Sequence, residues 1–250
     1  MPDVLAQALA VPGLGWLIAA ALIAGLVRGF SGFGTAMVFL PVAGQVLPPV
    51  SAITAMIMMD IVGPLPNVPR ALRDGEPGDV LRLSAGALIA LPVGLALLLA
   101  IPPEVFRYTV SVLALLLVVM LIGGFRYHGR RSPSLVFGTG ALAGFLGGVS
   151  GVIGPPVILF YMAGSAAASR VRANTLLFLL ITDIAMLGYF ALAGRLAAGA
   201  VAIGVALIVP YTLANIAGAA IFSQSHERIY RAAAYAIIAA SAIMGLPLLD

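Results

Sequence analysis

Ten apolar runs follow one another through this chain, at roughly 10–27, 34–47, 51–66, 80–101, 104–124, 134–149, 153–166, 172–193, 197–222 and 229–248, with scarcely a charge inside them. A water-soluble domain does not fold from such runs, because the side of each element that faces solvent has to be polar. Of the 250 residues, 62% are hydrophobic and 9% charged, where soluble domains carry about 25% charged residues. Mean hydropathy is +1.14. The solvent that suits this chain is lipid, in which every backbone N–H and C=O must be paired within a helix or around a closed barrel. A barrel needs short runs of alternating polarity. These runs are continuous and rich in Ala, Leu and Ile, so they read as helices spanning a bilayer. Runs two, six and seven hold only about 14–16 residues, some 21–24 Å of helix at ~1.5 Å per residue, against a hydrocarbon core of ~30 Å. The pairs 10–47 and 134–166 therefore read as full hairpins or as re-entrant ones that turn inside the membrane.

The net charge of +4 comes from thirteen arginines and no lysine against nine acids. In a soluble chain it would suggest nucleic acid; here the arginines sit between apolar runs and report topology. With the N-terminus outside and each run changing sides, eleven arginines face the cytoplasm: Arg28, Arg70, Arg73, Arg82, Arg126, Arg130, Arg131, Arg170, Arg172, Arg228 and Arg231. Arg107 and Arg195 alone fall outside. That bias predicts both termini on the external side of a bacterial inner membrane. Met1-Pro2-Asp3 lacks the basic start of a secretory signal, so the first helix is expected to stay. There are no cysteines, hence no disulfide or thiol chemistry.

Two of the turns are polar, glycine-rich breaks that match each other. Arg28-Gly29-Phe30-Ser31-Gly32-Phe33-Gly34 slides onto Gly147-Gly148-Val149-Ser150-Gly151-Val152-Ile153-Gly154 by 119 positions (150 − 31). Ser31 then falls on Ser150, Gly32 on Gly151, Gly29 on Gly148, Gly25 on Gly144 and Ala21 on Gly140, and Gly34 meets Gly154 after one inserted residue. Further on, Gly94, Phe106 and Arg107 match Gly218, Tyr230 and Arg231 at an offset of 124, and Asp60 matches Asp183 at 123. With five runs per half, the second half enters the membrane upside down. The expected architecture is an all-α, polytopic inverted repeat of about eight to ten helical segments with two glycine-broken hairpins. Residues 1–125 form the first repeat, 126–133 a cytoplasmic linker and 134–250 the second repeat.

Paired breaks in two halves point to the binding site of a transporter. The ladders Ala21/Gly25/Gly29 and Gly140/Gly144/Gly148 put small residues on one helix face, where neighbouring backbones can approach closely. After each ladder a Ser-Gly opening ends one helix, and another starts near Thr35 or Pro155. A helix that begins inside the membrane presents N–H groups and partial positive charge, which favour an anion. Substrate-binding candidates are therefore Arg28, Ser31, Gly32, Gly34 and Thr35 at the first break and Ser150, Gly151 and Gly154 at the second, with Asn174 and Asn215 as hydrogen-bonding partners. Arg28 reads either as an anion-binding guanidinium or as a positive-inside anchor. Asp60 and Asp183 lie deep in apolar runs, where ionisable groups serve pathways and proton relays. They are candidates for proton coupling, or else for a structural pair, Arg28 being one available partner. Asn67, Thr175, Thr182 and Tyr211 are further interior polar groups that bind substrate or simply join helices.

Enzyme chemistry finds no support: there is no His-Glu-x-x-His, no buried Ser/His/Asp set and no lysine for a phosphate loop. No cofactor, metal or nucleic acid is indicated. The two breaks, with Pro41 after the first and Pro155-Pro156 in the second, together with the Gly94-to-Arg107 and Gly218-to-Arg231 spacings, resemble the TauE/SafE family over nearly the whole chain. The resemblance implies a secondary transporter of sulfite, thiosulfate, organosulfonate or carboxylate anions; from the residues, the substrate site is expected between the breaks, with H+ the candidate coupling ion and membrane lipid around the helices. Rival readings are a passive anion channel, a membrane scaffold subunit without transport, and a cation carrier built on the two aspartates. Concentrative uptake by the reconstituted chain alone separates the first reading from the channel and the scaffold.

Overall fold

The computed structural model describes residues 10–123, 132–162, 168–221 and 227–247. Arg126, Arg130 and Arg131 of the expected linker, and both chain ends, lie outside them. Eleven α-helices occur among the described residues: α1 Leu14–Ser31, α2 Thr35–Val46, α3 Pro49–Val62, α4 Val68–Asp74, α5 Pro77–Ala100, α6 Pro103–Ile122, α7 Pro133–Ser150, α8 Gly154–Met162, α9 Ala168–Leu192, α10 Ala198–Ile221 and α11 Glu227–Gly245. Helices α1, α5, α6, α7, α9 and α10 are long and apolar enough to cross a membrane. The pair α3 and Leu65–Asp74 makes a seventh candidate, bent by 45°. Pro64, Pro66 and Pro69 explain the bend, since each removes a backbone donor. The third apolar run thus continues past its expected end into the short helix α4. Helices α2 and α8, of 12 and 9 residues, are too short to cross by themselves. The outward faces are apolar, with Ile89 68% and Val209 63% exposed, as lipid contact requires.

The chain forms two compact units, each drawing helices from both sequence halves. The first comprises Met1–Gly63, Pro102–Val118 and Phe190–Asp250. In it α2 folds back along α1, so that Val46 returns to Gly13; a methyl on Gly13 would lie 3.0 Å from the Val46 side chain. Helix α10 packs against α1 through glycines: a methyl on Gly29 would lie 2.9 Å from Gly218 Cα. Helix α11 is tied to α2 and α6 at its C-terminal end, where Gln45 Nε2 donates to Met244 O (2.9 Å) and Arg107 Nε to Gly245 O (3.3 Å). These donors meet carbonyls that a helix end leaves unpaired, and they give an arginine on the predicted external side a structural task. Leu17, Val27, Phe39, Ile53, Phe106 and Leu207 fill the core.

The second unit comprises Pro64–Ile101 and Val119–Tyr189. Here α7 packs on α5 in the same way: a methyl on Gly94 would lie 2.9 Å from Gly148 Cα. The pair Gly29/Gly218 in one unit and Gly148/Gly94 in the other are related by the two sequence offsets, 119 and 124. A matched crossing of a ladder helix on a later or earlier helix therefore occurs in both units.

The breaks themselves are alike. Gly32 and Gly151 end α1 and α7 with φ +79° and +77°, and their N–H groups close on Arg28 O and Gly147 O. This left-handed cap is open to glycine without steric cost. A methyl on Gly32 meets nothing within 4 Å, so only backbone strain opposes a side chain there. Gly32→Ala is expected to destabilise by about 1–2 kcal/mol, and Gly32→Asn by less, because Asn tolerates this conformation. Thermal unfolding of the two variants in detergent checks the order; equal stability of Gly32→Ala and wild type would show that the cap is not strained.

Candidate functional site

The first break closes on itself through its serine. Ser31 Oγ lies 2.6 Å from Val27 O and 2.7 Å from Phe33 O and accepts from Phe33 N–H at 3.3 Å. Ser150 repeats the pattern, donating to Leu146 O (2.7 Å) and accepting from Val152 N–H (3.2 Å). Both hydroxyls hold the helix-ending turn open. After Ser31 the chain passes Gly34, at φ +105°, into α2.

The first intrahelical bond of α2 runs from Val38 N to Gly34 O, and no side chain caps its start. The N–H groups of Thr35, Ala36 and Met37 therefore have no acceptor within the helix. At the second break α8 starts Gly154-Pro155-Pro156, so two of its first three residues have no N–H at all. The expectation of two equivalent anion-attracting helix ends resolves into one end rich in donors and one poor in them.

Around the α2 start the first unit gathers four polar side chains from four helices. Arg28 sits in the last turn of α1, where a cation also suits the helix dipole. Its Nη1 is 3.5 Å from Asp60 Oδ2. Asp60, near the end of α3, accepts through Oδ1 from the hydroxyl of Tyr211 on α10. Thr35 Oγ1 is 2.9 Å from Tyr211 Oη and 3.4 Å from Asp60 Oδ1. A chain Thr35 O–H to Tyr211 O, then Tyr211 O–H to Asp60 Oδ1, uses each hydroxyl proton once. Thr35, Tyr211 and Asp60 are buried, and the Arg28 and Asp60 side chains retain 13% and 10% exposure. Both carboxylate oxygens are thus engaged, one by the Tyr211 hydroxyl and one by the guanidinium.

Asp183 is buried on α9 in the second unit. The positions that match Arg28, Thr35 and Tyr211 there are Gly147, Pro155 and Ala87, none with a polar side chain. The two aspartates match in sequence, while these three positions around them differ. Asn174 uses both ends of its amide: Oδ1 accepts from Glu76 N–H (2.7 Å) and Nδ2 donates to Tyr161 Oη (2.9 Å). It pins the start of α5 and the helix α8 to α9. Asn215 lies on α10, where its backbone carbonyl and amide face the α1 glycines Gly29 and Gly25. Gly34 and Gly154 flank the starts of α2 and α8, and Gly151 ends α7.

Of the sequence candidates, then, Arg28, Thr35 and Asp60 come together beside Ser31, Gly32 and Gly34. Tyr211 completes the group; the sequence placed it only among the further interior polar residues. Its signal was a Pro210-Tyr211 pair in the middle of an apolar helix. Among the described residues no cluster of three or more His, Asp or Glu could hold a metal ion.

The chain matches the profile of the family described as Sulfite exporter TauE/SafE over residues 17–245. No individual curated protein and no solved structure matched it.

Proposed function

Since the chain belongs to the sulfite exporter TauE/SafE family, whose members are membrane transporters, we propose that it is a secondary transporter of a small sulfur-containing or organic anion, with Arg28 and the start of α2 forming its anion site. The chain is a multi-pass membrane protein. The carrying observation is a guanidinium held beside an uncapped helix start within one apolar unit, the two sharing the Asp60 carboxylate. A guanidinium offers paired donors to planar or tetrahedral oxyanions, and the α2 N–H groups add donors that carry no desolvation cost of a second full charge. Gly32 leaves the backbone of the turn open to approach, with nothing within 4 Å of where a methyl would stand. Ser31 and Ser150 hold the turns that define this geometry, and Asn174 and Asn215 hold neighbouring helices.

The substrate moves by alternating access, coupled to a proton through Asp60, with Asp183 as the second buried carboxylate. The arginine bias supports a bacterial inner membrane with external termini, and the matched glycine crossings of the two units support an inverted repeat of halves 1–125 and 134–250. Thermal stabilisation of the purified chain against sulfite, sulfate, thiosulfate, sulfoacetate, taurine and acetate tests the reading. A ligand at about a hundredfold its Kd stabilises by about 2.7 kcal/mol. A selective upward shift with one sulfur oxyanion or sulfonate is expected. No shift with any anion, but one with sodium, would favour a cation carrier on the aspartates.

A further inference from the structure

We infer that Asp60 is a built-in occupant of the Arg28 anion site, displaced by protonation, so that the site takes up one proton together with one monovalent anion. This rests on the anion reading above and names its substrate charge and its coupling.

The geometry of the carboxylate carries the inference. Oδ1 already accepts from the Tyr211 hydroxyl and lies 3.4 Å from Thr35 Oγ1. Oδ2 faces Arg28 Nη1 at 3.5 Å. Among the described residues, Asp60 faces Arg28 on α1 and Tyr211 on α10, while α2 presents Thr35. An incoming oxyanion must compete with Oδ2 for the guanidinium, since the two seek the same donors. A proton from the aqueous side has one favourable place to land, which is Oδ2, because Oδ1 already accepts from the Tyr211 hydroxyl. When it lands there the ion pair with Arg28 breaks and the guanidinium pairs with the substrate anion. Tyr211 and Thr35 are positioning residues: Tyr211 anchors Oδ1 and Thr35 holds Tyr211, so that only the oxygen facing Arg28 changes partner. The Arg28 and Asp60 side chains keep 13% and 10% exposure.

Charge then selects the substrate. Within the Arg28–Asp60 pair the two charges offset each other. An anion bound without a proton would leave a net negative charge in an apolar unit, which is strongly unfavourable. A monovalent anion with one proton restores neutrality, whereas a divalent anion with one proton does not. Sulfite would be carried as hydrogensulfite.

The test uses the purified full chain in lipid, with sulfite as the probe. Infrared difference spectra of the wild type on adding sulfite should show a protonated-carboxyl C=O band, absent in Asp60→Asn and retained in Asp183→Asn. The ratio of sulfite affinities, Asp60→Asn over wild type, cancels the titration of sulfite itself. It should rise about tenfold per pH unit when binding to the wild type takes up one proton and binding to the variant takes up none. A wild-type spectrum without the band, or a ratio flat with pH, overturns the inference while leaving Arg28-dependent sulfite binding, and so the transporter reading, intact. Sulfite that binds neither protein ends both. The wild-type spectrum decides even where the Asn variant does not fold.

Discussion

Arg28→Ala is expected to abolish anion binding and transport, and Arg28→Ala combined with Asp60→Asn to restore stability without restoring either. The guanidinium and the carboxylate are both largely withdrawn from water and lie 3.5 Å apart. Removing one partner of such a pair strands the other, at a cost of about 3–5 kcal/mol where burial is complete. Here the cost should fall at or below the lower end, because Asp60 keeps the Tyr211 hydroxyl and the Thr35 hydroxyl nearby. Neutralising Asp60 as well removes the stranded charge, so the double variant should melt above Arg28→Ala. Anion affinity behaves differently. Truncating a buried charge that meets an opposite charge costs about 2–5 kcal/mol of binding, a loss of roughly 30-fold or more, and the second substitution cannot supply the missing donors. The double-mutant cycle separates the two roles. Should Arg28→Ala bind and transport sulfite like the wild type, Arg28 is a membrane-side anchor and the proposed site is wrong.

Gly140→Ala should destabilise the second unit sharply, while Gly138→Ala, two residues away on the same helix, should leave it nearly unchanged. A methyl on Gly140 would run into the backbone carbonyl of Leu83 on α5 and lie 2.7 Å from Leu83 Cα, whereas one on Gly138 meets nothing within 4 Å. Backbone cannot rotate away as a side chain can, so the two helices must separate. Overpacking of this kind costs about 1–3 kcal/mol and sometimes more, and separation also loosens the neighbouring contacts of Gly144 and Gly148. Helix association in lipid depends on close packing, since apolar burial gives no advantage over the acyl chains. The open site should instead gain slightly from alanine's helix propensity. Melting temperatures of the two variants in one detergent measure the contrast. Equal melting would mean that α5 and α7 are not in backbone contact.

Much of this fold was legible because its signals are local. Each apolar run forms its own hydrogen bonds as a helix, so run length and the absence of charge were sufficient to predict membrane helices near their observed places. The Ser31-Gly32 and Ser150-Gly151 openings were legible for the same reason: a serine bonding back one turn and a glycine at positive φ need no distant partner. The bend after α3 and the helix α4 were missed because hydropathy alone does not register the prolines that break a run. At the second helix start Pro155 and Pro156 leave fewer backbone donors than the first start has, a difference already legible in the sequence.

By itself, then, the sequence determined a lipid-embedded helical chain, two broken hairpins, the glycine faces and the presence of a buried aspartate in each half. Only the tertiary structure decided which glycine face meets which helix, and that Arg28, Thr35, Asp60 and Tyr211 form one group. Thr35 and Tyr211 are 176 residues apart, and the repeat could not pair them because their matched positions are a proline and an alanine. A hydrogen bond between distant helices exists only once backbone packing has brought the side chains within about 3 Å, and no periodicity along the chain encodes that distance.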